Sequence, residues 1–462
     1  MSATTPGTVP DTGANSVPPA LGPERAIEWP RRTVRALANG MQVVLAERHT
    51  FPKISAELFF RSGNALVAHR SPDLAELAAR VVRTGTQTHT SRQIEENLRG
   101  MGATLGTSAG ADTSAISISG LAEFAEGLLA MIADLAHKAI FPEGEFERER
   151  RQKLEELRIE RTTPGFLAGE CFRRVLFGEH PYAIVAPSEA QVAAYRRDDL
   201  AAYYHENYVP SNALLIAVGD FSSDRMMEAV EKIFGGWKAG PAPVLEGAEP
   251  PAARGRTVNL VHLPGTVQAE ILLGNLAINR LSPDWHRAVL ANALFGGAFN
   301  SRLVTNIREQ KGYTYSPRSA MHPLRQHGYF SVHAAVRNEV VAATLTEIFY
   351  ELDRIRSLPV SDGELADARN YLSGVFSLGI ATTDGILGQL STVYLDRLPE
   401  DYLETYRERI RSLTAGDILA AARRYFDSAN ARIIVVGDRE QIEPQAALFG
   451  GVTVWDAQGT RI

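Results

Sequence analysis

The stretch PDLAELAARVV at 72–82 sets Glu76 and Arg80 one helical turn apart, an acid and a permanent cation on one face of an alanine-rich segment. Such a pair adds roughly 0.2–0.5 kcal/mol to a helix and by itself reads as a plain surface turn. A second acidic run, FPEGEFERERRQKLEEL at 141–157, opens with proline and acids suited to a helix start and ends on Glu155 and Glu156. Taken alone, that run is a solvated face. The 11 histidines (49, 69, 89, 137, 180, 205, 262, 286, 322, 327 and 333) contain neither His-x-x-Glu-His nor His-Glu-x-x-His. Those spacings place two imidazoles on one helical face around a divalent ion. The single cysteine, Cys171, excludes an internal disulfide framework and reads as a small buried apolar residue. His180, in HPYAIVAP at 180–187, reads as a satisfied loop histidine rather than a ligand.

The elements that must carry these residues belong to a long chain. At 462 residues and 45% apolar content it has room for two cores, and a net charge of −6 offers no electrostatic footprint for nucleic acid or anionic lipid. No run approaches the roughly 18 apolar residues needed to cross a bilayer. Residues 1–30 are rich in Pro, Gly, Ser and Thr and are expected to form a disordered leader without the basic start and apolar run of a secretory signal. A cytoplasmic location is therefore expected, or a periplasmic one if the native start carries a signal not present here. GPAPVLEGAEPPAARG marks a linker over 240–256, between domains at 31–239 and 257–462.

The two domains repeat each other. DDLAAYYHENYVPSNALLIAVGD (198–220) lies on GDILAAARRYFDSANARIIVVGD (416–438) without a gap, matching Asp199 with Asp417, Tyr208 with Phe426, Asn212 with Asn430 and Asp220 with Asp438. Each copy reads as a helix ending on an aromatic, a turn, and a buried strand stopped by Gly-Asp. ISAELFFRSG (54–63) and VQAEILLGNL (267–276) correspond more loosely, as do the helix starts at 141 and 358. The pattern is a duplicated α+β domain, each copy an antiparallel sheet with helices packed on one face.

The VGD strand endings, LFGEHPYAI at 176–184, the segment around 72–86 and FGGAFNSRLVTNIREQKGYTYS at 295–316 together resemble the pitrilysin or insulinase-like (M16) zinc peptidases, in their small bacterial two-domain form. The resemblance runs from about residue 31 to 440. It implies a zinc motif His-x-x-Glu-His in the first domain and a further Glu roughly 75 residues on. Glu76, Ala79 and Arg80 fall on the His, Glu and His positions, and Glu156 near the distal one. Ala79 offers no base, and Arg80 has no lone pair and repels a divalent ion. The resemblance therefore implies a zinc-less member, binding no metal of its own, in which Arg80 fills the vacated position and pairs with Glu156.

In the second domain the family supplies an Arg and a Tyr seven residues apart, which reach a partner's zinc site. Arg308 and Tyr315 stand at that spacing, with Tyr313 off register. Both can donate to a peptide carbonyl whose oxygen gains charge in the transition state. Gly296, Gly297, Asn300 and Ser301 belong to a loop expected to border the substrate chamber, its glycines also serving as a helix stop. The implied role is that of a complementing subunit of a heterodimeric peptidase, whose zinc-bearing partner of similar size performs the hydrolysis of an extended peptide. The alternative is a structural or assembly subunit that uses the fold as a scaffold.

Overall fold

The computed structural model describes residues 27–462. Most of the leader expected at 1–30 thus lies outside the described residues. Its last positions are not loose, because Ile27 and Trp29 pack on an apolar cluster and the Trp29 ring lies 5.9 Å from that of Phe376.

Two six-stranded sheets organise the chain. The first is built from β1 (Arg32–Ala36), β2 (Gln42–Glu47), β3 (Lys53–Phe60), β4 (Thr104–Ala109), β5 (Ser114–Leu121) and β6 (Ala213–Gly219). The second uses β7 (Thr257–His262), β8 (Gln268–Ala277), β9 (Arg318–Pro323), β10 (Gly328–Arg337), β11 (Arg432–Gly437) and β12 (Val452–Trp455). Their orders, β1-β2-β6-β3-β5-β4 and β12-β7-β11-β8-β10-β9, superimpose strand for strand apart from the edge beside β2 or β7. The aligned repeat emerges as helix Arg197–Asn207 plus β6, and helix Ala415–Tyr425 plus β11. Tyr208 and Phe426 both cap their helices at ψ 72°.

The sheets are mixed rather than purely antiparallel. β2 runs parallel to β6, and β7 runs parallel to both β11 and β12. The chain returns to these central strands only after a long helical excursion, which is the connection a parallel pair requires. One face of the first sheet carries Leu45, Ile54, Leu58, Phe60 and Leu215 onto helices Leu74–Val82, Ala125–Lys138 and Ser223–Phe234. The second sheet buries Leu260, Ile271, Phe330 and Ile433 against Val341–Ser357 and Ala415–Tyr425 in the same way.

The opposite faces are covered by exchange. Helix Pro164–Phe177, from the first half, lays Leu167, Phe172 and Phe177 on Val261, Ile434 and Val436 of the second sheet. Helix Thr383–Leu395, from the second half, lays Ile386, Leu387 and Leu390 on Val44, Leu214 and Ile216 of the first. A strand buried on both faces needs a near-continuous apolar run, which ALLIAVG in β6 and RIIVVG in β11 supply. Lys53 closes the exchange with an ion pair to Asp384 at 2.8 Å.

Candidate functional site: a cation between two carboxylates, and an exposed aromatic clamp

Helix Leu74–Val82 buries Leu74, Leu77, Ala78, Val81 and Val82 in the first core, so its remaining face presents Glu76 and Arg80. Its start is tied down by Asp73, in a left-handed conformation at φ 65°, whose carboxylate meets Lys153 at 2.6 Å. Lys153 lies on helix Glu143–Glu160, and the same helix brings Glu156 over the face of the first. The Arg80 Nη1 donates to Glu156 Oε2 at 2.7 Å and its Nε to Glu76 Oε1 at 3.2 Å. The expected pair with Glu156 is therefore present, whereas Glu155 turns to solvent and pairs with Arg158.

The remaining carboxylate oxygens also have partners. Glu76 Oε2 accepts from the backbone N–H of Ala109 at 3.1 Å, and Glu156 Oε1 accepts from Gln152 at 2.9 Å. Burial works against charge on Arg80, yet the bonds to Glu156 and Glu76 outweigh it and hold the guanidinium above its ordinary pKa. Glu156 is likewise opposed by burial but held below the usual carboxylate range by Gln152 and Arg80. The trio is a closed, satisfied set of charges. A zinc ion does not fit it: Arg80 occupies the space between the carboxylates, Ala79 is buried, and no cluster of three or more His, Cys, Asp or Glu suited to a metal occurs among the described residues.

In the second half, helix Trp285–Asn292 continues as a π-helical turn over Ala293–Gly297, and Val304–Gln310 is π-helical as well. Such wider turns shift side chains off the α-helical register and recur at functional sites. Arg308 stands in the second of them. Gly312, at φ 65°, then turns the chain so that Tyr313, partly buried, packs against the core while Tyr315 points out, 78% exposed. The Arg308 guanidinium lies 4.4 Å from the Tyr315 ring centre and 4.8 Å from that of Phe299. An Arg held between two aromatic faces keeps its donors in plane and free at the edge.

The glycine loop differs from the helix stop expected of it. Neither Gly296 nor Gly297 has a positive φ, and what they provide is room: a Cβ on Gly296 would stand 2.6 Å from both Leu303 Cδ1 and Ser319 Oγ. Gly296 and Ser301 are buried, so within this loop Gly297 and Asn300 are the members of the expected set that face solvent. Phe299 was not anticipated. Its only signal in the sequence is an aromatic placed two residues after a Gly-Gly pair in a loop. His180 behaves as read, its Nδ1 accepting from Tyr182 N–H at 3.1 Å and its Nε2 bonded to Gln326 at 2.8 Å. Cys171 is buried, and burial pushes its thiol up to about 12, which removes it as a nucleophile.

Comparison with known proteins agrees with this geometry. A family profile described as the peptidase M16 inactive domain matches residues 194–372. The chain is 23% identical to an uncharacterized zinc protease of Bacillus subtilis, over 75% of this chain and 84% of that protein. It is 28% identical to one of Streptomyces coelicolor, over 63% of this chain and 65% of that protein. Among solved structures, a peptidase M16 inactive domain from Pseudomonas fluorescens superimposes with a TM-score of 0.83 at 25% identity, covering 88% of this chain and 98% of the other. A protease from Helicobacter pylori shares the fold, with a TM-score of 0.81 at 19% identity over 88% and 99% of the two chains. A duplicated two-sheet chain of this kind has the architecture of the two-domain M16 proteins, with Arg80 set between Glu76 and Glu156 on its first-domain helix. The chain is similar in sequence and fold to the M16 peptidases, and its residues 194–372 match the profile described as the inactive domain of that family.

Proposed function

We propose that this protein is the complementing subunit of a two-chain M16 peptidase, presenting Arg308 and Tyr315 to the zinc centre of a homologous partner of similar size. One observation carries the reading: Arg308 is clamped between Phe299 and Tyr315 on an exposed face, while the chain's own metal position is closed by Arg80. A half-buried, pre-oriented guanidinium beside an exposed phenol has the donors that a tetrahedral oxyanion needs, and holding them fixed beforehand is what makes them effective. The partner supplies zinc and the water it activates; this chain supplies donors and walls for an extended peptide. The same exposure would also suit a purely structural contact, so the rate must decide.

The test mixes the purified chain with a zinc-bearing M16 homologue from the same genome and follows a quenched peptide. Cleavage should rise on mixing. In the mixed complex kcat should fall roughly 10²-fold for Arg308→Ala and less for Tyr315→Phe, with gel filtration unchanged. Assembly with an unaltered rate in both variants would leave the chain a scaffold and end this reading.

A further inference from the structure

Where the ends of the two sheets meet under the linker there is a cavity of about 320 Å³, whose lining includes no residue of either feature above. It is lined by Arg61, just beyond β3, by Arg280 beyond β8, by Arg325 in the turn between β9 and β10, and by Asp396 and Arg397 at the end of helix Thr383–Leu395. Four arginines thus face one aspartate across the seam between the halves.

The fold does not neutralise this charge. Among the described residues the one ion pair in the lining is Arg280 with Asp396, at 3.2 Å. Arg61 Nη2 donates to neutral acceptors, Gln42 Oε1 at 2.7 Å and the Tyr394 carbonyl at 3.3 Å, and its buried Nε has no partner. The Arg325 guanidinium spends its donors on the carbonyls of Arg61 and Asp112, at 3.0 and 2.7 Å. Arg397 is exposed, sits in a left-handed conformation at φ 54°, and has no acidic partner among the described residues. Asp112 is the other acid near the seam, and its carboxylate is occupied by Tyr182 and by the backbone N–H of Arg325. Burial, then the charges of Arg397 and Arg325, bring the Arg61 pKa down to about 10. Like charges are being held together at a cost that a bound anion would remove.

We infer that this cavity binds a small molecule bearing a multiply charged oxyanion of the phosphate type. A guanidinium presents paired N–H donors matched to such a group, and the volume is at the size of small-ligand sites. Leu281, Leu324 and Pro243 give the rest of the lining an apolar character suited to the body that carries the charge. The ligand touches residues of both halves and so braces the seam. The inference does not rest on the role of Arg308.

Calorimetry and thermal melts of the full chain, at constant ionic strength, test it with pyrophosphate, a nucleoside monophosphate and citrate. Saturable binding of the phosphates is expected, with affinity lowered at least about tenfold in Arg397→Ala, a change that removes no internal bond, and abolished in Arg397→Glu. A response to citrate equal to that of pyrophosphate would show a site that does not distinguish phosphate from carboxylate and would overturn the assignment to phosphate. No saturable binding at millimolar concentrations, or equal binding by Arg397→Glu, overturns the inference.

Discussion

At the scale of single residues, the central exchange is one cation for another. An M16 metal helix holds a divalent ion between imidazoles and a distant carboxylate; here a guanidinium sits between Glu76 and Glu156 and satisfies both. Because the side chain projects from position 80 at helical spacing from 76, reversing the exchange needs two substitutions. Glu76→His with Arg80→His would set two imidazoles one turn apart, facing Glu156, and three ligands of that kind suffice for zinc. The variant is expected to take up one zinc per chain, read by metal analysis or by cobalt spectra, while the parent protein takes up none in stoichiometric amount. Peptide hydrolysis should still be absent, since Ala79 provides no base to activate water. A folded double variant that binds no zinc would mean that the two helices are not set as a metal site requires.

At the scale of elements, the π-helical turns on either side of Phe299 decide where Arg308 points. Gly296 permits the first of them by leaving space that Leu303 and Ser319 fill. Gly296→Ala should therefore cost about 1–3 kcal/mol, measured by denaturant unfolding, and should weaken the mixed peptidase as well because Phe299 shifts with the turn. The same substitution at Gly363, where a Cβ meets nothing within 4 Å, should be harmless or slightly stabilising. This region also marks how far the sequence could be read. The repeat was legible because helix, aromatic cap and buried strand recur in order from 198 and from 416, and the blocked metal site was legible because residue type alone forbids it. The wider turns were not, since VTNIREQ carries no breaker that distinguishes a π turn from an α one. Nor was the Phe299 stack, which depends on a loop path set by tertiary packing. The parallel pairing of β2 with β6 was equally hidden, because strand composition reports burial and not direction.

At the scale of the whole molecule, the two halves are not two independent domains laid side by side. Each lends a helix to the other's sheet, and no local pattern in PGFLAGECFRRVLF or TDGILGQLSTVYL announces which sheet it will cover. Taken away from its companion, the first half would expose Val44, Phe59, Leu214, Ile216 and Val218, and its Pro164–Phe177 helix would have nothing to cover. At about 1.5–3 kcal/mol per buried side chain, these five residues alone are worth on the order of 10 kcal/mol, comparable with the whole stability of a domain. Cutting the linker should then have little effect on the assembly, because its chain continuity is not what holds the halves together. With a protease site placed between Pro250 and Gly255, the nicked protein is expected to elute as one species and to unfold in a single transition. The fragment ending at residue 239, expressed alone, is expected to bind a hydrophobic dye and to lack a cooperative melt. Nicked halves that separate in buffer, or a first half that melts cooperatively alone, would show that the exchanged helices contribute far less than their burial implies.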